Sequence, residues 1–397
     1  MVKQLASNIV CVTGANCSAI YNFNDGNVYS INDFGTRILN NYFLKEKTLA
    51  EDESEFVSRV CKVLSVSKLD TVDYVWPEKP VKQLEFAWLE VTQKCPSRCI
   101  HCYEGATHFE TKAPLPFEAW LKVIEDLSLL GCKTVQFIGG EPTMYPKLPE
   151  LIRYAKQRGI KVSLFSNLYY VSEKTFNAII ENDVSVHFSI YASNPKLHDS
   201  ITQLNSSFDN MINNVKRLLE NGVNMTAHVV VMKENESNRD EIYSLLSDLK
   251  ITKIRYDEIR KVYGGCQSKH LVQNSKVMMD KPNFSTDLKR FNSAFYNNTC
   301  WYGKCVISTN GNVYPCEFEN TISYGSVKQN SLVNIISDTV VDKYWYWDFS
   351  QVDVCKDCEY RFACKDCRPL AYAENGVMVE KNPRCTYNPY TGVWESK

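Results

Sequence analysis

From Leu84 onward the chain alternates between two hydrophobic rhythms. Short apolar, β-branched runs predict strands at 84–91, 134–138, 161–165, 184–190, 225–232 and 253–257. Between them, apolar residues recur at helical spacing. Phe117, Trp120, Leu121, Ile124 and Leu127 share one face of a helix stopped by Gly131. Further helices are predicted near 148–156, 173–181, 208–220 and 239–249, with Gly159 and Gly222 closing two of them. Six βα-type repeats predict an α/β fold, a parallel sheet curved into a partial (βα)6 barrel of the TIM type, over residues 84–260. An open Rossmann sheet is the alternative, and no Gly-x-Gly-x-x-Gly follows the first strand to support it.

The amino-terminal stretch, 1–80, has a different grammar. Strands are predicted at 7–13, 18–23 and 27–31, with Asp25-Gly26 as the hairpin turn between the last two. A helix follows from Asp33, carrying Ile38 and Leu39, and a second from Glu51, with Phe56, Val60, Val63 and Leu64 assigned to one face. Three strands followed by helices describe a winged-helix-like domain over 1–80. The stretch 76–83 carries Pro77 and Pro80 and reads as a linker. Beyond the barrel, 261–294 is a bridging region and 295–397 a cysteine-rich domain.

The 397-residue length accommodates these parts. A net charge of −1 gives no general attraction to nucleic acid or to a membrane. No apolar run approaches the roughly 18 residues of a membrane span, and no secretory signal opens the chain, so the expected location is the cytoplasm. There, 16 cysteines point to metal ligation rather than to disulfides, and eight of them fall between Cys300 and Cys385.

Cys95, Cys99 and Cys102 are spaced C-x3-C-x2-C with Tyr103 directly after, in a loop leaving the first barrel strand. Strand carboxyl ends are where α/β enzymes place their chemistry. Three thiolates can hold three irons of a 4Fe–4S cube and leave the fourth open to an exogenous ligand. A zinc site completed by His101 or His108, or three core cysteines, are the other readings of the loop taken alone.

The C-x3-C-x2-C-aromatic signature resembles that of the radical S-adenosylmethionine (SAM) enzymes. Gly139-Gly140-Glu141-Pro142, after the second strand, is similar to the family motif that holds the SAM amino group. The resemblance further implies that Asn167 and Ser189, at the ends of the third and fourth strands, meet the SAM ribose or carboxylate, and that Tyr103 lies against the adenine. One departure stands out. Where many relatives carry an arginine for the SAM carboxylate, past a His-Asp pair, this chain has Thr202 after His198-Asp199.

The tail resembles the SPASM extension of these enzymes, with Gly311 four intervening residues before Cys316. The resemblance assigns Cys300, Cys305, Cys316 and Cys367 to one auxiliary 4Fe–4S cluster and Cys355, Cys358, Cys364 and Cys385 to another, giving three clusters with that of the Cys95 loop. The gap between Cys364 and Cys367 is one residue shorter than usual; should Cys367 not reach, the first auxiliary cluster keeps an open iron. A zinc ribbon on Cys355, Cys358, Cys364 and Cys367 is the competing reading, and it leaves four tail cysteines without a role. Glu317 follows Cys316 where sulfatase-maturing relatives have an aspartate base, so it is a candidate catalytic base or a structural carboxylate. Cys11, Cys17, Cys61 and Cys132 read as core residues and Cys266 as a loop thiol.

The 1–80 domain resembles, in element order, the leader-recognition domains of maturases that act on ribosomally made peptides, which add the leader as a strand to a sheet edge. Together the resemblances imply a peptide maturase. A SAM-derived 5′-deoxyadenosyl radical would take hydrogen from a peptide carbon, and an oxidative C–S, C–C or C–O crosslink would follow. The implied partners are a precursor peptide and a one-electron reductant such as a ferredoxin or flavodoxin. Formylglycine formation on a sulfatase, and a non-catalytic iron–sulfur or zinc-binding interaction protein, are the alternatives.

Overall fold

The computed structural model describes residues 1–44, 49–104, 113–259, 270, 272, 284–297 and 299–394. His108, Cys266 and most of the bridging region therefore lie outside the described residues. The chain divides into two compact units. Met1–Val81, Ser275–Tyr302 and Trp345–Lys397 form the first; Lys82–Asn274 and Gly303–Tyr344 form the second.

The first unit opens with β1 (Val2–Ala6), β2 (Ile9–Thr13), β3 (Ser18–Asn22) and β4 (Asn27–Ile31), then α1 (Asp33–Leu44), α2 (Glu51–Leu64) and a two-residue β5 (Val72–Asp73). The sheet order is β4-β3-β2-β1-β5. Where the sequence pattern predicts one strand over 7–13, the chain makes a hairpin whose turn holds Asn8 at φ 61°, a left-handed conformation that asparagine tolerates better than most residues. Val63 also departs from expectation. It is 62% exposed, and Val57, Val60 and Leu64 form the buried stripe of α2 instead.

This sheet is buried on both faces. Ile9, Cys11 and Ile20 pack with Ile38, Leu39, Val57 and Val60 of the two helices. The alternate residues Val10, Val12, Ala19 and Tyr21 pack with Phe291, Tyr360, Phe362 and Tyr387. Apolar residues at successive positions, Ile9-Val-Cys-Val12, are what burial on both faces requires.

The second unit is the barrel. Its elements are β6 (Phe86–Glu90), α3 (Phe117–Leu129), β7 (Thr134–Ile138), α4 (Leu148–Gln157), β8 (Lys161–Ser166), α5 (Glu173–Glu181), β9 (Ser185–Ile190), α6 (Pro195–Thr202), α7 (Ser207–Glu220), β10 (Met225–Val231), α8 (Arg239–Asp248) and β11 (Ile254–Glu258). The six strands pair in parallel and in chain order. A Rossmann sheet would reverse its order at a switch point, so the barrel reading holds. The short α6 escapes the hydrophobic pattern; its start is set by Pro195 and by the Asn194 side chain accepting from Leu197 N–H at 3.1 Å.

After α9 (Leu288–Tyr296) of the first unit, the tail re-enters the barrel sheet. Strand β12 (Lys304–Ile307) pairs in parallel with β6, and β13 (Asn312–Tyr314) and β14 (Gly325–Ser326) extend the sheet antiparallel. A helix, α10 (Leu332–Ser337), is tied to α3 where Leu332 N–H donates to Asp126 at 2.8 Å. Among the described residues no helix is long and apolar enough to cross a membrane.

Candidate active site

Cys95, Cys99 and Cys102 leave the carboxyl end of β6 on a loop that is braced from α6. Arg98 N–H donates to Thr202 O at 2.9 Å and Ile100 N–H to Ile201 O at 3.0 Å. The segment that lacks the expected arginine is therefore structural. The Thr202 hydroxyl is bonded to His198 O and to the Ser207 hydroxyl, and Asp199 caps α7 by accepting from Ser206 N–H and Phe208 N–H.

Burial pushes the Cys95 thiol up to about 12, helped by the charges of Glu141 and Cys102. It raises Cys99 further, with Cys95 and Cys102 adding to it. The three thiols thus feel one another in a place hostile to bare thiolates, and a cationic iron core is what such a donor set fits. Among the described residues no three His, Cys, Asp or Glu side chains converge as ligands of one bare ion would. Burial, with His270 adding to it, lowers the pKa of His101, the zinc candidate of the sequence, to about 4.

The Gly139–Pro142 turn follows β7. A Cβ on Gly139, at φ +152°, would stand 2.3 Å from Thr92 O, and one on Gly140 would stand 2.5 Å from Gln93 O. The glycines let this turn lie against the backbone that leads into the cysteine loop, where Gly140 N–H donates to Thr92 O at 2.8 Å and Glu141 N–H to Lys94 O at 2.7 Å. Glu141 is 1% exposed. Its carboxylate accepts from Thr143 N–H (3.0 Å), the Thr143 hydroxyl (2.6 Å), the Ser166 hydroxyl (2.7 Å) and Asn167 N–H (2.7 Å). Burial nonetheless raises its pKa. Asn167 joins this turn to the cluster loop, its side-chain amide lying 3.8 Å from Cys95 Sγ.

Two more groups complete the top of the barrel. Ser189 is hydrogen-bonded to Tyr191, a buried tyrosine that packs with Cys99 and whose ring meets His101 at 4.7 Å. Sequence reasoning missed Tyr191; its place just past the end of β9 was the available signal. Tyr103 is pushed up by burial and then by the charges of Glu317, Glu104 and Cys102, and its ring lies 4.8 Å from Phe318. Tyr103 and Glu317, far apart in sequence, are thus neighbours. A pocket beside them is lined by Glu90, Glu104, Tyr314, Cys316 and Glu317.

Of the tail cysteines, Cys355, Cys358, Cys364 and Cys385 belong to the first unit and lie close together. Burial raises the first three, and each also feels the charge of Cys385. The fully buried Arg368, which sequence reasoning passed over although it follows Cys367 directly, pairs with Asp366 and donates to Met378 O and Glu380 O. Its charge is felt by Cys355, and it senses Cys300 as well. Cys300 and Cys367 belong to the first unit, Cys305 and Cys316 to the second. Cys305 is set apart. On β12 it registers with Ala87, sharing the apolar face of the sheet, and the charge bearing on it is that of Cys132. Val306, on the opposite face, lines the pocket with Cys316.

Two family descriptions match the chain: the radical SAM superfamily over residues 89–246, and the SPASM iron–sulfur cluster-binding domain over 300–359. The Fe-coproporphyrin III synthase of Methanosarcina barkeri is 26% identical over 198 residues, which is 50% of this chain and 49% of that protein. The chain thus spans about half of that relative's length. The PqqA peptide cyclase of Bradyrhizobium diazoefficiens is 22% identical over 335 residues, covering 76% of this chain and 86% of that protein. In fold, the chain is similar to Streptococcus suis SuiB bound to its precursor peptide SuiA, with TM-score 0.60 at 15% identity, covering 96% of this chain and 98% of that one.

Proposed function

Because this chain is a radical SAM enzyme with a SPASM iron–sulfur domain, we propose that it modifies a ribosomally made precursor peptide, leaving an oxidative C–S, C–C or C–O crosslink. The observation that carries this reading is the outermost strand of the N-terminal sheet. Among the described residues β4 ends the sheet order β4-β3-β2-β1-β5 and is bridged beyond β3 at Asn27 to Ser285, and the end of a sheet is where a peptide is added as a strand. The peptide-modifying relatives PqqA cyclase and SuiB support it.

In this reading Cys95, Cys99 and Cys102 hold the SAM-binding cluster. Gly139, Gly140, Glu141 and Pro142, with Asn167 and Ser189, hold SAM, and Tyr103 lies on its adenine. When bound, the cluster and SAM supply a 5′-deoxyadenosyl radical able to take hydrogen from an unactivated carbon. Glu141 orders the turn that receives SAM, because its four hydrogen bonds fix the ends of β7 and β8. Glu317, at the pocket beside Tyr103, would take the proton released as the product forms, and the electron lost with it would go to an auxiliary cluster. Cys355, Cys358, Cys364 and Cys385 hold one auxiliary cluster, and Cys300, Cys316 and Cys367 the other, with Cys305 as its fourth thiol by count. A one-electron reductant such as a ferredoxin or flavodoxin supplies electrons, and the cytoplasm is the proposed location.

The test is incubation of the anaerobic holoenzyme with SAM, dithionite and a precursor peptide, read by mass spectrometry and by hydrogen exchange. The reading predicts a peptide lighter by two hydrogens per crosslink and slowed exchange in the N-terminal sheet. A second reading is formylglycine formation on a sulfatase, which Glu317 weakens by standing where sulfatase-maturing relatives carry an aspartate. Conversion of a sulfatase-type cysteine peptide to formylglycine, with the precursor peptide unchanged, would establish it.

A further inference from the structure

The N-terminal sheet does more than offer an edge. Three of its elements grip one stretch of the tail, Asp357–Tyr360, which carries Cys358. In the β2–β3 turn, Ala15 N–H donates to Asp357 O at 2.8 Å. Gly14 sits so close that a Cβ there would stand 2.6 Å from Glu359 Oε2 and 2.9 Å from both Asp357 O and Glu359 N. On β3, the buried Tyr21 hydroxyl donates to Glu359 O at 2.7 Å. On β4, the Ser30 hydroxyl accepts from Tyr360 at 2.6 Å. Glu359 itself is fully buried, and Tyr387, two residues beyond Cys385, donates its hydroxyl to the Glu359 carboxylate.

These contacts are specific in a way that apolar packing is not. Tyr21 and Tyr387 would satisfy the same core as phenylalanines, yet each places its hydroxyl on Glu359, next to a thiol assigned to the cluster. Buried polar groups in such a network fix position, and groups bonded next to a metal ligand set its orientation and the redox properties of the metal.

We propose that the N-terminal sheet forms part of the second auxiliary cluster site, with Gly14, Tyr21 and Glu359 as positioning residues for Cys358. The proposal rests on the assignment of Cys355, Cys358, Cys364 and Cys385 to one cluster, not on the identity of the substrate. It makes the N-terminal domain a structural partner of a redox centre, so the leader-binding element and the cluster cannot be separated by cutting the chain between them.

The test uses the full-length holoenzyme with the variants Tyr21→Phe and Gly14→Ala. Iron release to a chelator and electron paramagnetic resonance (EPR) of the reduced clusters are followed with and without SAM, which marks the SAM-binding cluster. Tyr21→Phe is expected to release about a third of its iron at least about tenfold faster and to shift the potential of a cluster insensitive to SAM. Gly14→Ala is expected to lose that cluster's signal outright and keep the SAM-sensitive one. A role confined to packing would leave the release rate and spectrum of Tyr21→Phe unchanged, and that result overturns the proposal. A Cys358→Ala control that keeps all its iron overturns the site itself, and the proposal with it.

Discussion

The Cys95 loop and the Cys355–Cys385 site gather thiols by opposite means. The first takes three cysteines from eight consecutive residues, and its supports are backbone bonds from Ile201 and Thr202 and the glycine turn at 139–140. The second takes four cysteines from the longer span Cys355–Cys385, and part of its wall comes from strands near the other end of the chain. A site whose thiols come from one loop and whose supports come from one unit is untouched by changes at the chain's two ends. A site assembled from both ends of the chain fails whenever either end is disturbed.

The largest effects separate the two sites. Cys99→Ala should lose about a third of the iron and all cleavage of SAM, whereas Cys358→Ala should lose a similar share and retain cleavage uncoupled from product. Iron content and 5′-deoxyadenosine yield measure both. Loss of cleavage in both variants would break the distinction. Glu141→Gln comes next. It puts an amide where the Thr143 and Ser166 hydroxyls donate, so SAM cleavage should fall about 10- to 100-fold, with iron retained.

The barrel was legible because its strands carry local signals: apolar runs with helices between them, closed at three junctions by Gly131, Gly159 and Gly222. The cysteine loop and the Gly139–Pro142 turn were legible because local chemistry needs local spacing. What lay hidden was long-range. Nothing near Ile9 announces that Val10 and Tyr21 pack on Phe291 and Tyr387, although the unbroken apolar run says that some partner must cover the second face. Tyr191 and Arg368 are functional candidates only once folding brings them to thiols. The glycines of the turn were legible only as part of a SAM-binding motif; in the structure their lack of a Cβ lets the backbone of the neighbouring loop come close.

A mid-sized effect bears on the first auxiliary cluster. Cys305→Ser and Cys316→Ser should each lose about four irons per chain, Cys305 from its place beside Cys132 on β12. Iron kept in Cys305→Ser alone would take Cys305 out of the assignment and leave that cluster with an open iron. The smallest effect is on acid stability, and it belongs to the barrel unit alone, because all six histidines lie between residues 101 and 270. His101, His187, His198 and His228 are each lowered to about 4, chiefly by burial. Between about pH 4 and 6.5 the unfolded chain binds more protons than the folded one, so this stabilisation is complete above pH 6.5 and is lost as pH falls toward 4. Urea midpoints at pH 7 and pH 5 should differ in that direction, and replacing His187 and His228 with asparagine should flatten the difference.

The most direct test of the account is the iron and sulfide content of protein purified without oxygen, followed by dithionite and SAM. The account predicts about twelve irons per chain, as three cubes of four, with 5′-deoxyadenosine as a product. Colourless protein that holds zinc and forms no 5′-deoxyadenosine would contradict it.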